Sequence, residues 1–433
     1  MSESAIVEWF SRNGAQVHPS IRISQSESGE YVLTSVDVIP ESTTIISIPS
    51  SSILSTANSP FLQRAPAIAE KAQWPALIMT IIWEASQPDS KWRAYLDTLP
   101  KEFDTLMYWN ADELKDLEGS AVVNKIGKEE AEMWYATDFS DFRDKHREVF
   151  EGVDTSLEAF HRVGSWVTAF SADLAKPVDE SNPRDEDDME DDDDNEYDSL
   201  DSFKAMVPFS NLIPSDCDEA NCEFSPSESA ISFVAIKDIP ANTALYVDPG
   251  PLPRSDLLRR VGSYPQSSAQ HDVIEIDSTL IISVAGSALL ESVRDERIEK
   301  LVDEDILEDS YDIEADGSIP SEILIVIQAF MADDQTFQSY VEQEKFPKAK
   351  KDPRTGNIIL EVIAKRREMY TTTVEEDIAL LRSGAELSKR KRMAVEVRAG
   401  EKEILRRMEN TVRSWGVEIA EGSGGRDRKR LKR

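Results

Sequence analysis

Residues that usually bind metals are scarce in this sequence. Its 433 residues include two cysteines, Cys217 and Cys222, and four scattered histidines. A structural zinc site needs four ligands, usually in closely spaced pairs, and here the two cysteines have a four-residue gap and no second pair follows. We therefore predict that no metal is bound and that both cysteines are free thiols in a reducing compartment.

Several catalytic and targeting signatures are also missing. No HExxH, GxSxG or GxxxxGK[ST] string occurs, so zincin, α/β-hydrolase and P-loop functions lack their usual support. The opening stretch, MSESAIVEWFSRNG, carries charges and has no long apolar core, unlike a secretory signal. The longest apolar run, near Pro75–Trp83, is too short to cross a bilayer. These absences predict a soluble intracellular protein.

Negative charge is abundant and concentrated. The formal net charge is -35, and residues 179–201 contain fourteen acids and one base, Arg184. Such a chain repels a phosphate backbone, so we predict no direct nucleic-acid binding and favour a basic protein partner. The acidic segment has almost no apolar residues to offset its ordering entropy, and we predict a disordered insertion. A solvated loop without a partner is the alternative interpretation of this segment.

Positive charge is concentrated at the C-terminus. The chain ends GGRDRKRLKR, Gly424–Arg433, in which lysines and arginines follow a flexible stretch. Such clusters are typical of nuclear-import signals, and we predict a protein of the nucleus, the cytoplasm or both. A solvated basic tail that folds back on acidic surface is the alternative.

Hydrophobic periodicity predicts β-rich segments on both sides of a helical region. The first alternates over 31–48 around a turn at Pro40–Ser42, and the second covers 231–236 and 244–247. Helices are predicted between about 60 and 161, at 157–174 and through most of the chain after 274, where the stretch 274–283 is expected to form paired strands. Further predicted features are a helix capped by Asp112 that ends near Gly119, an apolar helix at 321–331, a capping box at Thr373 and Glu376, and a last helix at 386–415. No internal repeat is apparent.

Several strings, in this order and spacing, resemble a known family. They are SKWRAYLDTLPKEFDTLMYW (90–109), KAMVPFSNLIPSDCDEANCEF (204–224), VAIKDIPANTALYVDPG (234–250), GPLPRSDLLRRVG (250–262) and RREMYTTTVEEDIALL with RKRMAVEVRAGEKEIL (366–405). Together they resemble SET-domain lysine methyltransferases of the Rubisco-methyltransferase-like class. The stretch HRVGSWVTAFSADL (161–174) is similar to the fungal branch that modifies a large-subunit ribosomal protein.

The resemblance implies an α+β fold. A SET β-domain would be split by a helical insertion and followed by a mostly helical substrate-binding domain. The implied boundaries are 1–60 for the first SET part, 61–176 for the helical insertion, 177–202 for the acidic insertion, 203–270 for the second SET part, 271–416 for the helical domain and 417–433 for the basic tail. The resemblance also implies S-adenosyl-L-methionine as cofactor, a lysine of a basic ribosomal protein as substrate, and a monomer.

The implied cofactor contacts begin at a Gly-x-Gly motif before a strand. Here Gly29, Glu30 and Tyr31 occupy it, so a tyrosine replaces the second glycine, which would let the backbone approach the cofactor closely. A strand tyrosine that faces the core is the alternative role for Tyr31. Phe170 matches the aromatic helix residue that would stack on the cofactor, and a buried packing role is the alternative.

The implied contacts continue in a loop before the second β-segment. Asn211 stands at the place of an acidic residue and Pro214 at the place of an asparagine, with Ser215 beside it. Proline has neither a backbone donor nor a side-chain amide, so that polar contact is lost. Asn221 is a candidate for a downstream loop asparagine, or else for a turn cap.

The tyrosine of the implied transfer site is also replaced. The motif here is VDPG, so Pro249 takes the tyrosine's position while Asp248 and Gly250 remain. Tyr246 is three residues upstream, and odd separations in a strand place side chains on opposite faces, so Tyr246 is a poor replacement. No catalytic residue is matched.

The sequence therefore leaves three functions open. The first is a lysine methyltransferase in which positioning and desolvation supply the rate. The second is a catalytically impaired SET protein that binds a basic partner through the same groove. The third is an acidic carrier for a basic nuclear protein, in which residues 179–201 are the active feature.

Overall fold

The computed structural model describes residues 3–25, 31–175, 202–227, 229–343 and 345–417. The chain forms two compact units. Unit 1 comprises Met1–Trp109 and Ile126–Ser268, and unit 2 comprises Asn110–Lys125 and Ala269–Arg433. The short segment 110–125, assigned from the sequence to the helical insertion, is therefore grouped with the C-terminal unit. The predicted disorder of the acidic segment and the predicted import signal in the tail fall outside the described residues.

The helices and strands are numbered along the chain. The helices are α1 (Glu3–Arg12), α2 (Phe61–Arg64), α3 (Gln73–Ser86), α4 (Arg93–Leu96), α5 (Ala111–Lys115), α6 (Lys128–Trp134), α7 (Ser140–Lys145), α8 (Leu157–Phe170), α9 (Arg254–Arg260), α10 (Ser278–Ala285), α11 (Glu291–Asp303), α12 (Ser321–Met331), α13 (Asp334–Glu342), α14 (Pro353–Glu368), α15 (Val374–Arg382) and α16 (Lys389–Arg413). The strands are β1 (Gln16–Val17), β2 (Ile21–Gln25), β3 (Tyr31–Ser35), β4 (Thr44–Pro49), β5 (Ser171–Ala175), β6 (Ser202–Met206), β7 (Cys222–Pro226), β8 (Ala230–Ala235), β9 (Val273–Asp277) and β10 (Ser310–Glu314). The predicted α+β class is confirmed.

Unit 1 is built on a four-stranded antiparallel sheet that joins distant parts of the chain. Its strand order is β1-β4-β8-β7, and β4 pairs with β8 through partners such as Ile48 and Ile231. Two further antiparallel pairs are β2–β3 and β5–β6. The last pair joins Ala175 to Ser202, the described residues on either side of the acidic segment. The helices α3 and α8 pack together beside these strands and contribute buried residues such as Leu77 and Val163 to one core.

Two turns in unit 1 have the same geometry although their residue numbers differ by 200. Ile39 and Ile239 exchange backbone hydrogen bonds of 2.9 and 2.8 Å. Each turn then has a left-handed residue, Ser42 at φ 63° and Asn242 at φ 60°. The equivalent bonds recur on both sides, from Ser42 N to Ala235 O and from Asn242 N to Ser35 O, each 2.8 Å. The sequence signal is an Ile-Pro-x-x-Thr string in both turns.

Unit 2 has its own core, formed by helices and by the antiparallel pair of β9 and β10, which α10 and α11 separate in the sequence. Buried apolar residues of this core include Ile276, Ile327 and Leu405. The predicted helix at 321–331 and the capping box of Thr373 and Glu376 are confirmed. The last helix is somewhat shorter than predicted, because the Ser388 side chain caps its N-terminus.

Three details of the predicted elements are wrong. The stretch 274–283 is a strand followed by a helix, because the Asp277 side chain accepts a hydrogen bond from Thr279 N and caps α10. The helix after residue 110 is capped by Asn110, whose capping box includes Glu113, and it ends at Lys115. Helix α8 ends at Phe170, because the following residues pair as β5 with β6.

None of the helices in the described part of the chain is both long and apolar enough to cross a membrane.

Candidate functional site

The second Ile-Pro turn leads into a segment, residues 243–250, that is threaded between two other parts of unit 1. On one side, Leu245 N donates to Leu33 O of β3 at 2.9 Å, and Thr34 and Ala244 form an antiparallel bridge. On the other side, Val247 pairs in parallel with Ser215. The threaded segment therefore brings β3 and the loop at 213–222 to one place.

Asn221 fastens the threaded segment. Its side-chain Nδ2 donates to Ala244 O at 2.8 Å, and its Oδ1 accepts from Tyr246 N at 3.0 Å. The backbone amide groups of Asn221 and Cys222 both donate to Tyr246 O, at 3.0 and 3.1 Å. Asn221 is buried, so its amide is fully used in structure and is not the turn cap that the sequence suggested. It positions the segment that carries the candidate site.

The loop residues Pro214 and Ser215 lie against the same segment. Pro214 O accepts a 3.1 Å hydrogen bond from Val247 N, and Asp216 N donates to Val247 O at 2.9 Å. Proline keeps its carbonyl, so it can support the threaded segment although it has no amide to offer a ligand. Ser215, which pairs with Val247, is exposed and carries a hydroxyl group at this point of the loop.

Pro249 follows two residues after the crossing and is half-buried. Asp248 Oδ1 accepts from Gly250 N at 2.8 Å, which closes a small turn around the proline. Gly250 has φ 80°, and a Cβ added to it would meet no atom within 4 Å. Open space therefore lies beside Gly250, the residue that follows the position at which the resemblance expects a tyrosine.

The structure brings three of the predicted residues together and assigns other surroundings to the rest. Pro214, Ser215 and Pro249 meet around Val247. Tyr31 begins β3, two residues before the Leu33 carbonyl that holds the threaded segment, and it is half-buried against the core. Gly29 and Glu30 lie outside the described residues.

Asn211 and Phe170 are occupied by contacts elsewhere in unit 1. Asn211 Nδ2 donates to Thr98 Oγ1 at 3.2 Å and so ties the loop to the helical insertion. Sequence reasoning missed Thr98, since nothing marks a threonine as the partner of a residue 113 positions away. Phe170 ends α8 and is half-buried against the core, which is compatible with both of its predicted roles.

Two titratable groups close to these residues are poorly suited to proton transfer. Burial raises the pKa of the Cys222 thiol to about 12, despite the hydrogen bond it donates to Tyr246 O. Burial also raises the pKa of the Tyr95 hydroxyl far above its usual value, and Tyr95 packs edge-on against Phe209 in the core. Neither group is a base at neutral pH.

The described residues are poorer in clustered metal ligands than in groups that suit a nucleoside cofactor. No cluster of three or more potential metal ligands occurs within the described ranges. A nucleoside cofactor needs apolar faces, a few polar groups and space. Around the threaded segment these are offered by the half-buried Tyr31 on β3, the exposed Ser215 that is bridged to Val247, and the open space beside Gly250. The residues present therefore fit such a group.

Comparison with protein families gives one match. Residues 291–405, which lie within unit 2, match the family described as Rubisco LSMT substrate-binding. This range covers α11 to most of α16, the part of the chain predicted from the sequence to bind substrate.

Related proteins of known name are methyltransferases. The chain is 25% identical over 340 residues to ribosomal lysine N-methyltransferase 4 of Saccharomyces cerevisiae, covering 72% of this chain and 68% of that protein. It is 38% identical over 55 residues to the chloroplastic Rubisco large subunit N-methyltransferase of Pisum sativum, covering 13% of this chain and 11% of that protein.

Solved structures share the fold over almost the whole chain. A structure of Rubisco LSMT bound to AdoMet has a TM-score of 0.71 at 15% identity and covers 96% of this chain and 92% of that one. The SET domain of LSMT bound to lysine and AdoHcy has a TM-score of 0.70 at 16% identity and covers 95% and 91%. Together these comparisons show that the chain has the SET-domain fold of these structures and that residues 291–405 are similar to the Rubisco LSMT substrate-binding family.

Proposed function

We propose that this protein is an S-adenosylmethionine-dependent protein-lysine N-methyltransferase that acts on a large-subunit ribosomal protein. The observation that carries the proposal is the threaded segment 243–250, which joins β3 to the loop at Pro214 and ends at an open turn. It lies in a fold whose solved examples include complexes with AdoMet and with lysine.

The cofactor would be held by the residues that surround this segment. Tyr31 would offer a ring face to it and Ser215 would offer a hydroxyl, and the resemblance adds the Phe170 ring at the end of α8. When bound, S-adenosylmethionine supplies an activated methyl group. The protein has to align the lysine nitrogen with that group and to receive the amine without its proton.

Pro249 decides how the chain can assist deprotonation. A proline has no hydroxyl to orient the amine, so the turn can contribute only an apolar wall and space. An apolar wall lowers the pKa of an entering lysine by disfavouring its charged form. The chain would therefore work by desolvation and positioning, and we expect slower methyl transfer than a tyrosine at this position would permit.

A ribosomal substrate is supported by two observations. The yeast relative is named for a ribosomal lysine. The net charge of -35 favours association with a basic partner and speeds their encounter. We extend the proposal to a monomer that enters the nucleus through residues 424–433, which localisation of a tail-truncated chain would test.

The alternative of a catalytically impaired binding module finds no support in the comparisons, whose named relatives are methyltransferases. It rests on three departures from the family pattern, at Tyr31, Pro214 and Pro249. Calorimetric titration with S-adenosylmethionine separates the two functions at the first step. We expect saturable binding, and the absence of detectable heat at high cofactor concentration would refute the enzymatic proposal.

Methyl transfer is tested by exchange of the proline. We expect the natural chain to label a ribosomal protein with tritiated methyl groups, and Pro249→Tyr to raise the rate about tenfold or more, since a positioned proton-transfer group contributes roughly 10²–10⁴-fold. The measurement is the initial rate at saturating cofactor.

The matched control for that exchange is Pro251→Tyr. Pro251 is exposed and lies two residues downstream of Pro249. A tyrosine there should leave the rate unchanged. Equal rates for the natural chain and Pro249→Tyr would contradict the importance given to Pro249, and labelling by neither would leave the binding module as the better description.

A further inference from the structure

Residues 110–125 form a strap that is part of unit 2 although it interrupts unit 1 in the sequence. Helix α16 holds its first half. Arg390 Nη1 donates to Glu113 Oε2 at 2.9 Å, and Arg398 Nη1 donates to the carbonyl of Asp116. Helix α14 holds the next turn, because Arg366 Nη1 donates to Gly119 O at 2.7 Å. The strap is thus attached through polar contacts to buried or half-buried side chains.

The strap fits closely where it turns. Gly119 has φ 92°, and a Cβ added to it would lie 2.7 Å from Met369 O and 2.7 Å from the Tyr370 ring. The next residue, Ser120, is buried. The turn therefore packs directly against Met369 and Tyr370, and it leaves no room for a side chain at position 119.

Glu401 of α16 is the carboxyl group under this turn. Ser120 Oγ donates to its Oε1 at 2.6 Å, and Tyr370 OH donates to its Oε2 at 2.7 Å. The side chain is buried, with 5% of the residue exposed. Both of these hydrogen-bond partners of the Glu401 carboxyl are hydroxyl groups, so neither partner neutralises its charge.

The neighbouring cations have other partners. Asp377 forms salt bridges with both Arg398, at 2.8 Å, and Lys402, at 2.6 Å. Arg366 bonds backbone carbonyls of Gly119 and Glu275 and lies over the Tyr370 ring, as does Lys402. Asp272, a second buried acid, adds negative charge near Glu401. Glu401 is surrounded by the strap, α14, the Tyr370 turn and α16. The groups on these elements do not neutralise its carboxylate by direct contact, so a proton can do so.

We propose that the strap is a proton-linked latch, which is held most firmly when Glu401 carries a proton between Ser120 and Tyr370. A protonated carboxyl donates one hydrogen bond and accepts the other, and it costs little to bury. An ionised carboxyl in the same place keeps both bonds but is buried without a cation, so release of the strap into water becomes favourable.

The pH range follows from the buried position. Burial raises the pKa of Glu401 from 4.5 to about 7, although the hydrogen bonds of Ser120 and Tyr370 and the charge of Arg366 oppose the rise. Because the closed strap binds the proton more tightly than the open one, opening increases as pH rises from about 4.5 to about 7 and then levels off. One proton is linked, so the increase is at most about tenfold per pH unit.

The test measures amide hydrogen exchange of residues 110–125 in the full chain between pH 5 and pH 8, corrected for intrinsic exchange. We expect protection to fall by more than tenfold between pH 5 and pH 7. Glu401→Gln, which cannot ionise, should remove that dependence. Glu386→Gln, a change at an exposed glutamate of unit 2, should keep it.

Two outcomes would overturn the latch. One is an unchanged pH dependence in Glu401→Gln. The other, which needs no variant and so applies even if Glu401→Gln fails to fold, is an NMR titration of labelled glutamate carboxyls in which none titrates near neutral pH. Neither measurement involves methyl transfer, so the latch and the proposed function can fail separately.

Discussion

The two units of this protein bury polar groups in different ways. Unit 2 holds buried charges in a connected set, in which Asp377 meets Arg398 and Lys402 and Glu401 meets two hydroxyls. The core of unit 1 is mainly apolar and aromatic. Its buried carboxyl group, Glu84, accepts hydrogen bonds from two serine hydroxyls and has no charged cluster like that of Asp377 among its described contacts, and the Tyr95 hydroxyl has no hydrogen-bond partner in the described structure. Loss of one partner should therefore destabilise unit 2. Loss of the Tyr95 hydroxyl should instead stabilise unit 1, because this buried polar atom has no hydrogen-bond partner in the described structure.

This difference matches the demands that the proposed function would place on each unit. A catalytic unit that accepts an amine benefits from apolar surroundings, because these disfavour the ammonium form. A unit that holds a separate strap of chain needs specific contacts, and buried hydrogen-bonded charges tolerate few alternative arrangements. The predictions below test the comparison in order of decreasing effect on stability.

Removal of Asp377 should have the largest effect. Asp377→Ala would leave Arg398 and Lys402 buried without their counter-charge, and we expect a loss of about 3–5 kcal/mol in the free energy of unfolding. Chemical denaturation of the natural and variant chains measures it. Glu375→Ala, at an exposed position in the same helix, should change stability by less than about 0.5 kcal/mol. Similar losses in both variants would contradict the role of the buried cluster.

Asp377 and Glu401 should also give opposite pH dependences. Burial opposes ionisation of Asp377, but the hydrogen bonds and charges of Arg398 and Lys402 outweigh it and lower the pKa below 3.8. Its contribution to stability is therefore present above pH 3.8 and is lost as pH falls through the lowered pKa, whereas that of Glu401 is lost as pH rises towards 7. Unit 2 should be most stable between these limits.

Substitution of Gly119 should have an intermediate effect. Gly119→Ala adds a methyl group against Met369 O at a left-handed backbone position, and we expect a loss of about 2–3 kcal/mol. Gly127→Ala in unit 1 is the control, because Gly127 is also left-handed at φ 69° but has no atom within 4 Å of an added Cβ. It should lose only about 1 kcal/mol. Equal losses would show that the close fit of the strap contributes nothing.

Removal of a single hydroxyl should have the smallest effect, with opposite signs in the two units. Tyr95→Phe removes a buried polar atom without a partner, and we expect a gain of about 1 kcal/mol. Tyr370→Phe breaks the bond to Glu401 and should lose about 1–3 kcal/mol. Thermal unfolding of both variants measures this. Destabilisation by Tyr95→Phe would mean that the hydroxyl has a role in unit 1 that the described contacts do not contain.

The sequence predicts most of the fold because its signals there are local. Strands at 31–48 and the capping box at Thr373 depend on neighbouring residues, and both were predicted correctly. The helix at Ser278 was missed because an apolar stretch fits a buried strand and a buried helix equally well, and one capping aspartate decides between them.

Less of the candidate site is predictable, because its contacts connect distant residues. The meeting of Pro214, Ser215 and Pro249 follows from the family resemblance. The structural use of Asn221 and the attachment of Asn211 to Thr98 depend on how the chain is threaded. The strap is a similar case, since nothing in residues 110–125 indicates that their partners are on α14 and α16.

The paired turns at Ile39 and Ile239 have a consequence for biosynthesis. Strand β4 is completed by β8, and the first turn by the second, so neither can form until residue 243 has left the ribosome. Long-range pairings of this kind form slowly, and the unmatched edges that wait for them favour aggregation. Newly made N-terminal segments should therefore need protection by chaperones. Unit 2 depends less on early segments, because the strap is its one part that is synthesised before residue 269.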